Sequence, residues 1–216
     1  MKKKFKQRIY ENLANKSIPN FLDGAKVVFC MKQILTTALL LVAFCACQPA
    51  SEANQAKTYY DLKGFLEQQI QQLNAQKPQV VKETAVGNTR DRQTTNAIDW
   101  AKELELFLQA DLNKSAFKLS YTTTRPDSNT YEYRLKPTEK LLVKCLKIKV
   151  NDTKQVALLE ATVKQQNKLY DSEKRLLLTC AKTASGIWQL KTYEVLGFQK
   201  LVMSDKKTFL MRGLVL

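Results

Sequence analysis

The side chains able to do chemistry are few, and their types exclude most of it. The 216-residue chain has no histidine, the residue that most often serves as general base or metal ligand near neutral pH. Of its five cysteines, Cys30, Cys45 and Cys47 lie in or just before an apolar segment, and Cys145 and Cys180 stand far downstream. There is no Cys–His or Ser–His pair and no Gly-x-Ser-x-Gly elbow, and no Ser-x-x-Lys stands in a persuasive context. No phosphate loop or dinucleotide fingerprint occurs, so the sequence calls for no cofactor. Asp99, Glu103, Glu105 and Asp111 lie close together, and Asp99 and Glu103 share a helix face as a carboxylate pair requires. A solvated helix face produces the same spacing, and that is the expectation. The remaining feature is basic. Arg134, Lys136, Lys144, Lys147 and Lys149, with Lys140 and Lys154, crowd two adjoining strand-like runs, and Lys206 and Lys207 fall in the last hairpin. Such a face attracts an anionic surface, membrane headgroups or acidic glycans, or serves as a solvated strand face that discourages edge pairing.

A second chemical feature is one cysteine's position. Residues 31–47 read Met31-Lys-Gln-Ile-Leu-Thr-Thr-Ala-Leu-Leu-Leu-Val-Ala-Phe-Cys-Ala-Cys47. A basic start is followed by an apolar run from Ile34 to Phe44, then by small residues and a cysteine. The run has signal-peptide length and is short of the ~20 residues of a membrane-spanning helix. After Cys47 the chain turns polar at once, Gln48-Pro49-Ala50-Ser51-Glu52. This segment resembles the lipobox signal of bacterial lipoproteins, with Ala46 as the small residue before the cysteine. Phe44 and Cys45 stand where that family more often has Leu and a small residue. The resemblance implies a diacylglyceryl group on the Cys47 thiol, cleavage before Cys47, and residence in the bacterial cell envelope on the outer membrane facing the periplasm. An unmodified cysteine and an uncleaved span are the competing readings. The span is interrupted by Lys32 and Gln33, and a mid-helix lysine costs ~2.5–3.5 kcal/mol.

A signal that starts at Met31 is complete, so residues 1–30 read as a mis-assigned N-terminal extension. The expected order is then the signal peptide over 31–46, lipidated Cys47 with its tether over 47–57, and one domain over 58–216. The whole-chain net charge of +15 falls to +9 for residues 48–216, which hold 27 Lys/Arg and 18 Asp/Glu. Export removes nucleic acid as a partner and leaves the membrane, another envelope protein, a lipid or an anionic glycan.

The elements that position these residues follow from periodicity. Tyr59, Leu62, Leu66, Ile70 and Leu73 predict an amphipathic helix over 58–76, with Gln68, Gln69, Gln71 and Gln72 on its polar side. Val80 to Thr95 predicts a weak, exposed hairpin about Gly87-Asn88. A second helix is expected over 98–112, N-capped by Asp99, with Ala101, Leu104, Leu108 and Leu112 as its apolar stripe. A short helical turn is expected within 114–121, and a loop over 122–130. Period-two runs follow at 131–136, 142–150, 155–165, 168–181, 187–196, 198–203 and 208–215, with a bend or bulge at Gly197. Short connections force antiparallel neighbours. The expected fold class is therefore α+β, two helices packed on a curved antiparallel meander of six or seven strands. In that order Cys145 and Cys180 sit on strands two spacings apart, ~9.6 Å, too far for a disulfide, so two buried free thiols are expected. Two functions fit. One is a non-enzymatic binding or structural lipoprotein at the membrane surface. The other is a carrier holding an apolar ligand in a cavity between helix and sheet.

Overall fold

The computed structural model describes residues 57–216, so the segment expected to be a signal peptide, Cys47 and most of the expected tether lie outside the described residues. Ala56–Leu216 is one compact unit. It opens with helix α1 (Leu62–Gln76), shorter at its start than expected because Asp61 caps it. The Asp61 carboxylate accepts the Gly64 N–H at 3.0 Å, satisfying one of the donors a helix start leaves free. The hairpin of β1 (Val80–Val86) and β2 (Thr89–Thr95) follows, turning at Gly87, whose φ of +57° suits a two-residue turn. Next come α2 (Trp100–Glu103), α3 (Glu105–Gln109) and a 3-10 turn at Ser115–Phe117. Seven strands complete the chain: β3 (Tyr121–Thr124), β4 (Thr130–Leu135), β5 (Val143–Val150), β6 (Val156–Gln166), β7 (Tyr170–Lys182), β8 (Trp188–Leu201) and β9 (Lys207–Val215).

The nine strands of the described residues form one sheet in the order β2-β1-β9-β8-β7-β6-β5-β4-β3. Every neighbouring pair is antiparallel. From β3 to β9 the sheet is a meander, and the N-terminal hairpin then closes onto its last strand. The strand count therefore exceeds the expected six or seven. The hairpin joins the main sheet, and β3 occupies part of the segment expected as a loop. Both edges are blunted, β2 by the exposed run Thr-Arg-Asp-Arg and β3 by its four-residue length and the Arg125-Pro126 that follows.

Gly197 is a second correction. The runs 187–196 and 198–203 are one strand, β8, which passes through Gly197 in unbroken register with Phe209. The irregularity lies elsewhere. Thr179 pairs with Thr192 and Cys180 with Leu190, so Lys191 is the extra residue of a bulge. At Gly197 a Cβ would lie 2.2 Å from the Glu173 carbonyl oxygen and 3.0 Å from the Phe209 ring. The glycine is there because a neighbouring ring and strand occupy its side-chain space.

The third correction concerns the helices. The segment expected as one helix breaks at Leu104, whose φ of −98° and ψ of 9° leave the helical region. Its buried stripe is Trp100, Leu104 and Phe107, followed by Ala110 and Leu112, while Ala101 is exposed. In α1, Gln69 is buried with Leu62, Leu66 and Leu73. It belongs to the core side, not the polar one. These helical residues share one core cluster with Tyr133, Leu146, Ile148, Leu159, Leu176, Leu178, Tyr193 and Val195 from the strands.

Candidate functional site

The basic residues distribute over the face of the sheet opposite that core. Arg134, Lys147 and Lys149 alternate with buried Tyr133, Leu146, Ile148 and Val150 and so point away from it. Lys144 is the extra residue of a bulge in β5 and donates to the Leu141 carbonyl at 2.6 Å. Lys136 lies just past β4, its N–H bonded to the Ser120 carbonyl. Acids interleave with these cations. One row of directly opposed residues runs Arg92, Glu83, Arg212, Glu194, Leu177, Glu160, Lys147, Glu132. Arg212 Nε donates to Glu194 Oε2 at 2.6 Å, and Arg134 pairs with Glu132 on its own strand. Where opposite charges face each other along this row, each pair contributes roughly 0.2–1 kcal/mol to strand pairing, while the adjoining row holds Arg134, Arg175 and Arg90 with no acid. The face is mixed in charge and not a continuous cationic patch.

A part-buried polar cluster lies on the core side. Lys82 of β1, Glu103 of α2 and Tyr193 of β8 meet there. Lys82 Nζ donates to Glu103 Oε2 at 2.7 Å and Tyr193 Oη donates to Glu103 Oε1 at 2.6 Å. The Lys82 and Glu103 side chains are only 19% and 11% exposed. Burial, reinforced by the Glu103 charge, raises the Tyr193 phenol far above its ordinary pKa, so it stays a donor. The ring lies flat over Gly213, where a Cβ would be 2.1 Å from the Tyr193 Cζ. Its other side meets the Trp100 indole edge-on, with centroids 6.1 Å apart. Asp99 and Glu103 do not form a carboxylate pair. Asp99 caps α2, accepting the Lys102 N–H at 3.2 Å, while Glu103 turns inward. One signal in the sequence marks the cluster: Lys82 follows Val80 in the inward register, and a lysine there needs a buried partner. Chemically the cluster is a clamp. It ties the hairpin and α2 to the middle of the sheet, with both oxygens of the carboxylate already engaged.

Trp100 also borders an open cleft of about 490 Å³ lined by Leu73, Asn74, Lys77, Asn96, Ala97, Ile98 and Asp99. Its amides, one cation and one carboxylate suit a small polar molecule. The lining includes no Ser, Thr or Cys. A third cluster fastens the start of the domain. Asn113 accepts the Tyr59 N–H at 3.0 Å and donates to the Tyr60 carbonyl at 2.9 Å. Tyr133 Oη accepts the Tyr60 N–H at 3.0 Å. The Tyr59 ring stands edge-on to Tyr121 and Tyr133. Burial beside Tyr131 pushes the Tyr60 phenol up to about 12.

Cys145 and Cys180, the two cysteines among the described residues, are free, and of the two Cys180 is buried and Cys145 half-buried. Burial pushes the Cys180 thiol up to about 12 and raises that of Cys145, so neither is an activated nucleophile. The flanking of β6 by β5 and β7 is as expected, and the separation is larger than expected. Cys145 is level with Thr162, and Cys180 lies one residue past the Thr179–Leu158 pair. Two strand spacings and about five residues make roughly 19 Å, and the side chains point to opposite faces. Among the described residues no three His, Cys, Asp or Glu gather to hold a metal ion. None of the described helices is long and apolar enough to cross a membrane. Comparison of the chain with family models, with curated proteins and with solved structures gives no match.

Proposed function

We propose that the chain is a lipoprotein of the bacterial cell envelope, held on the outer membrane through lipid on Cys47, with residues 58–216 as a non-enzymatic binding module facing the periplasm. The observation that carries this reading is the segment Met31–Cys47, a short apolar run ending in a cysteine and followed at once by a polar stretch. Two acyl chains make such an anchor stable, since each buried methylene adds about 0.8 kcal/mol. The fold is compatible with a tether. Helix α1 starts at Leu62, directly after Tyr59 and Tyr60 have been fastened by Asn113 and Tyr133. The chemistry in the domain points to binding. Glu103 is engaged by two partners and both thiols are held protonated. A carrier of an apolar ligand would need free space between helix and sheet. Leu62, Leu66, Leu73, Trp100, Leu104 and Phe107 occupy that layer, each at most 2% exposed. Metabolic labelling with a radioactive fatty acid tests the anchor. Label is expected on the wild-type chain and lost in Cys47→Ser, with the variant leaving the membrane fraction. An unlabelled wild-type chain refutes the reading.

A further inference from the structure

The two ends of the sheet differ in chemistry. In a meander successive turns alternate between ends, so the β1–β2, β4–β5, β6–β7 and β8–β9 turns share one end with the chain entering β3. The opposite end carries 125–129, 151–155 and 183–187, segments rich in Pro, Asp, Asn, Ser and Gly, the residues that turns prefer. Eleven large apolar side chains are exposed among the described residues, and seven of them belong to the first end. They are Leu119, Leu142, Leu169, Leu201, Val202 and Met203, with Val86 at the hairpin tip. The β6–β7 and β8–β9 tips stand side by side, since the Val202 N–H donates to the Leu169 carbonyl at 3.1 Å and Tyr170 pairs with Leu201. Leu169 is 72% exposed and Met203 95%. A turn gains nothing from Leu, Val and Met left in water, and clustered apolar exposure marks a surface that becomes buried.

Charge says against what. Lys168, Lys200, Lys206 and Lys207 flank these two tips, against Asp171 and Asp205. Lys206 Nζ sits 3.7 Å from the centroid of the Phe198 ring, holding an ammonium at the apolar rim. Apolar tips ringed by ammonium groups complement a surface that is negative at its headgroups and apolar beneath them. The start of the domain is close to this end. Tyr59 Oη donates to the carbonyls of Phe117 and Lys118, beside Leu119. Ten residues, 48–57, reach up to about 36 Å when extended. We infer that the tips carrying Leu169 and Leu201–Met203, with their lysine rim, insert into the interface of an anionic phospholipid bilayer, so that the domain docks end-on against the membrane. The inference rests on the lipoprotein reading for its biological setting, and the binding itself needs no lipid on the protein.

The test uses the unlipidated chain from Gln48 to Leu216. It retains the compact unit Ala56–Leu216 with every strand and the core cluster. Co-sedimentation is measured with vesicles of phosphatidylcholine alone and with phosphatidylglycerol added, at millimolar lipid. The expected result is binding to the anionic vesicles, weakened by salt and absent with phosphatidylcholine alone. The double variant Leu169→Glu, Met203→Glu is expected to lose binding by more than about tenfold with an unchanged thermal midpoint, because both side chains lie in water. Undiminished binding by that variant overturns the inference. So does wild-type protein that stays in the supernatant, or that buries the tips in a concentration-dependent dimer instead. Fatty-acid labelling of Cys47 is scored separately, so labelled protein with no vesicle binding sinks the docking inference alone.

Discussion

Gly213→Ala should destabilise the protein far more than a single methyl suggests. A Cβ at 213 would lie 2.1 Å from Tyr193 Cζ, 2.2 Å from Cε1 and 2.3 Å from Oη. Carbon contacts settle at about 3.5–4.0 Å, so the ring must retreat by more than about 1 Å. It has nowhere to go. Its hydroxyl is held at 2.6 Å by Glu103, its flank by Trp100, and it is fully buried. Overpacking of this kind costs ~1–3 kcal/mol. Breaking the hydrogen bond to a charged carboxylate adds ~1.5–3 kcal/mol. A total near 3 kcal/mol lowers the thermal midpoint by roughly 6–12 °C in a domain of this size. Urea unfolding followed by tryptophan fluorescence supplies the free energy, since Trp100 touches the ring. The Tyr193→Leu background makes the result specific: there Gly213→Ala should cost less than it does in the wild type, with a coupling of ~1 kcal/mol or more. A wild-type Gly213→Ala within about 0.5 kcal/mol of the parent, or a cost that is the same in both backgrounds, refutes the ring-over-glycine account.

Gln69→Leu should also destabilise, although it places an apolar side chain in the core. The bulge at Lys191 leaves the Leu190 N–H without a strand partner, and Gln69 Oε1 accepts it at 2.7 Å. Removing the acceptor leaves a buried donor unsatisfied at ~1–3 kcal/mol, and amide exchange at Leu190 should accelerate selectively; unchanged exchange there would count against the role. Asp111 gives a pH prediction. Burial raises its pKa above the ordinary 3.8, so the folded state holds that proton more tightly than the unfolded one. Its contribution therefore favours folding at low pH and is lost as pH rises through the raised value. Asp111→Asn should gain stability relative to wild type as pH climbs across that window, and a pH-independent difference between the two proteins would contradict it.

Much of the architecture was legible in residue order. Period two identifies β4 to β9 within a residue or two, except at Gly197. Gly87-Asn88 marks the hairpin. The spacing of Leu62, Leu66 and Leu73 marks α1. These features are local, set by alternation and turn chemistry over a few residues. Gln69 was misplaced because its burial depends on an unpaired N–H more than a hundred residues away, and a bulge has no signature on the helix that satisfies it. Glu103 was misplaced because helical spacing alone does not say which acid faces a lysine on another element.

Sequence by itself determined the absence of histidine, the class of the elements and the antiparallel order of the meander. Tertiary structure decided three things. The N-terminal hairpin closes onto β9, a pairing made by backbone groups that carry no residue identity. Gly197 and Gly213 are neither bends nor bulges but receive the rings of Phe209 and Tyr193 from the next strand. The third follows from the first of these glycines. A break at Gly197 would have sent the 202–206 turn to the end opposite 167–169, since each strand reversal swaps ends. An unbroken β8 puts Leu169, Leu201, Val202 and Met203 together. Which tips share an end depends on the parity of the strand count, and that parity follows from β8 running through Gly197 in register with Lys174 on one side and Phe209 on the other.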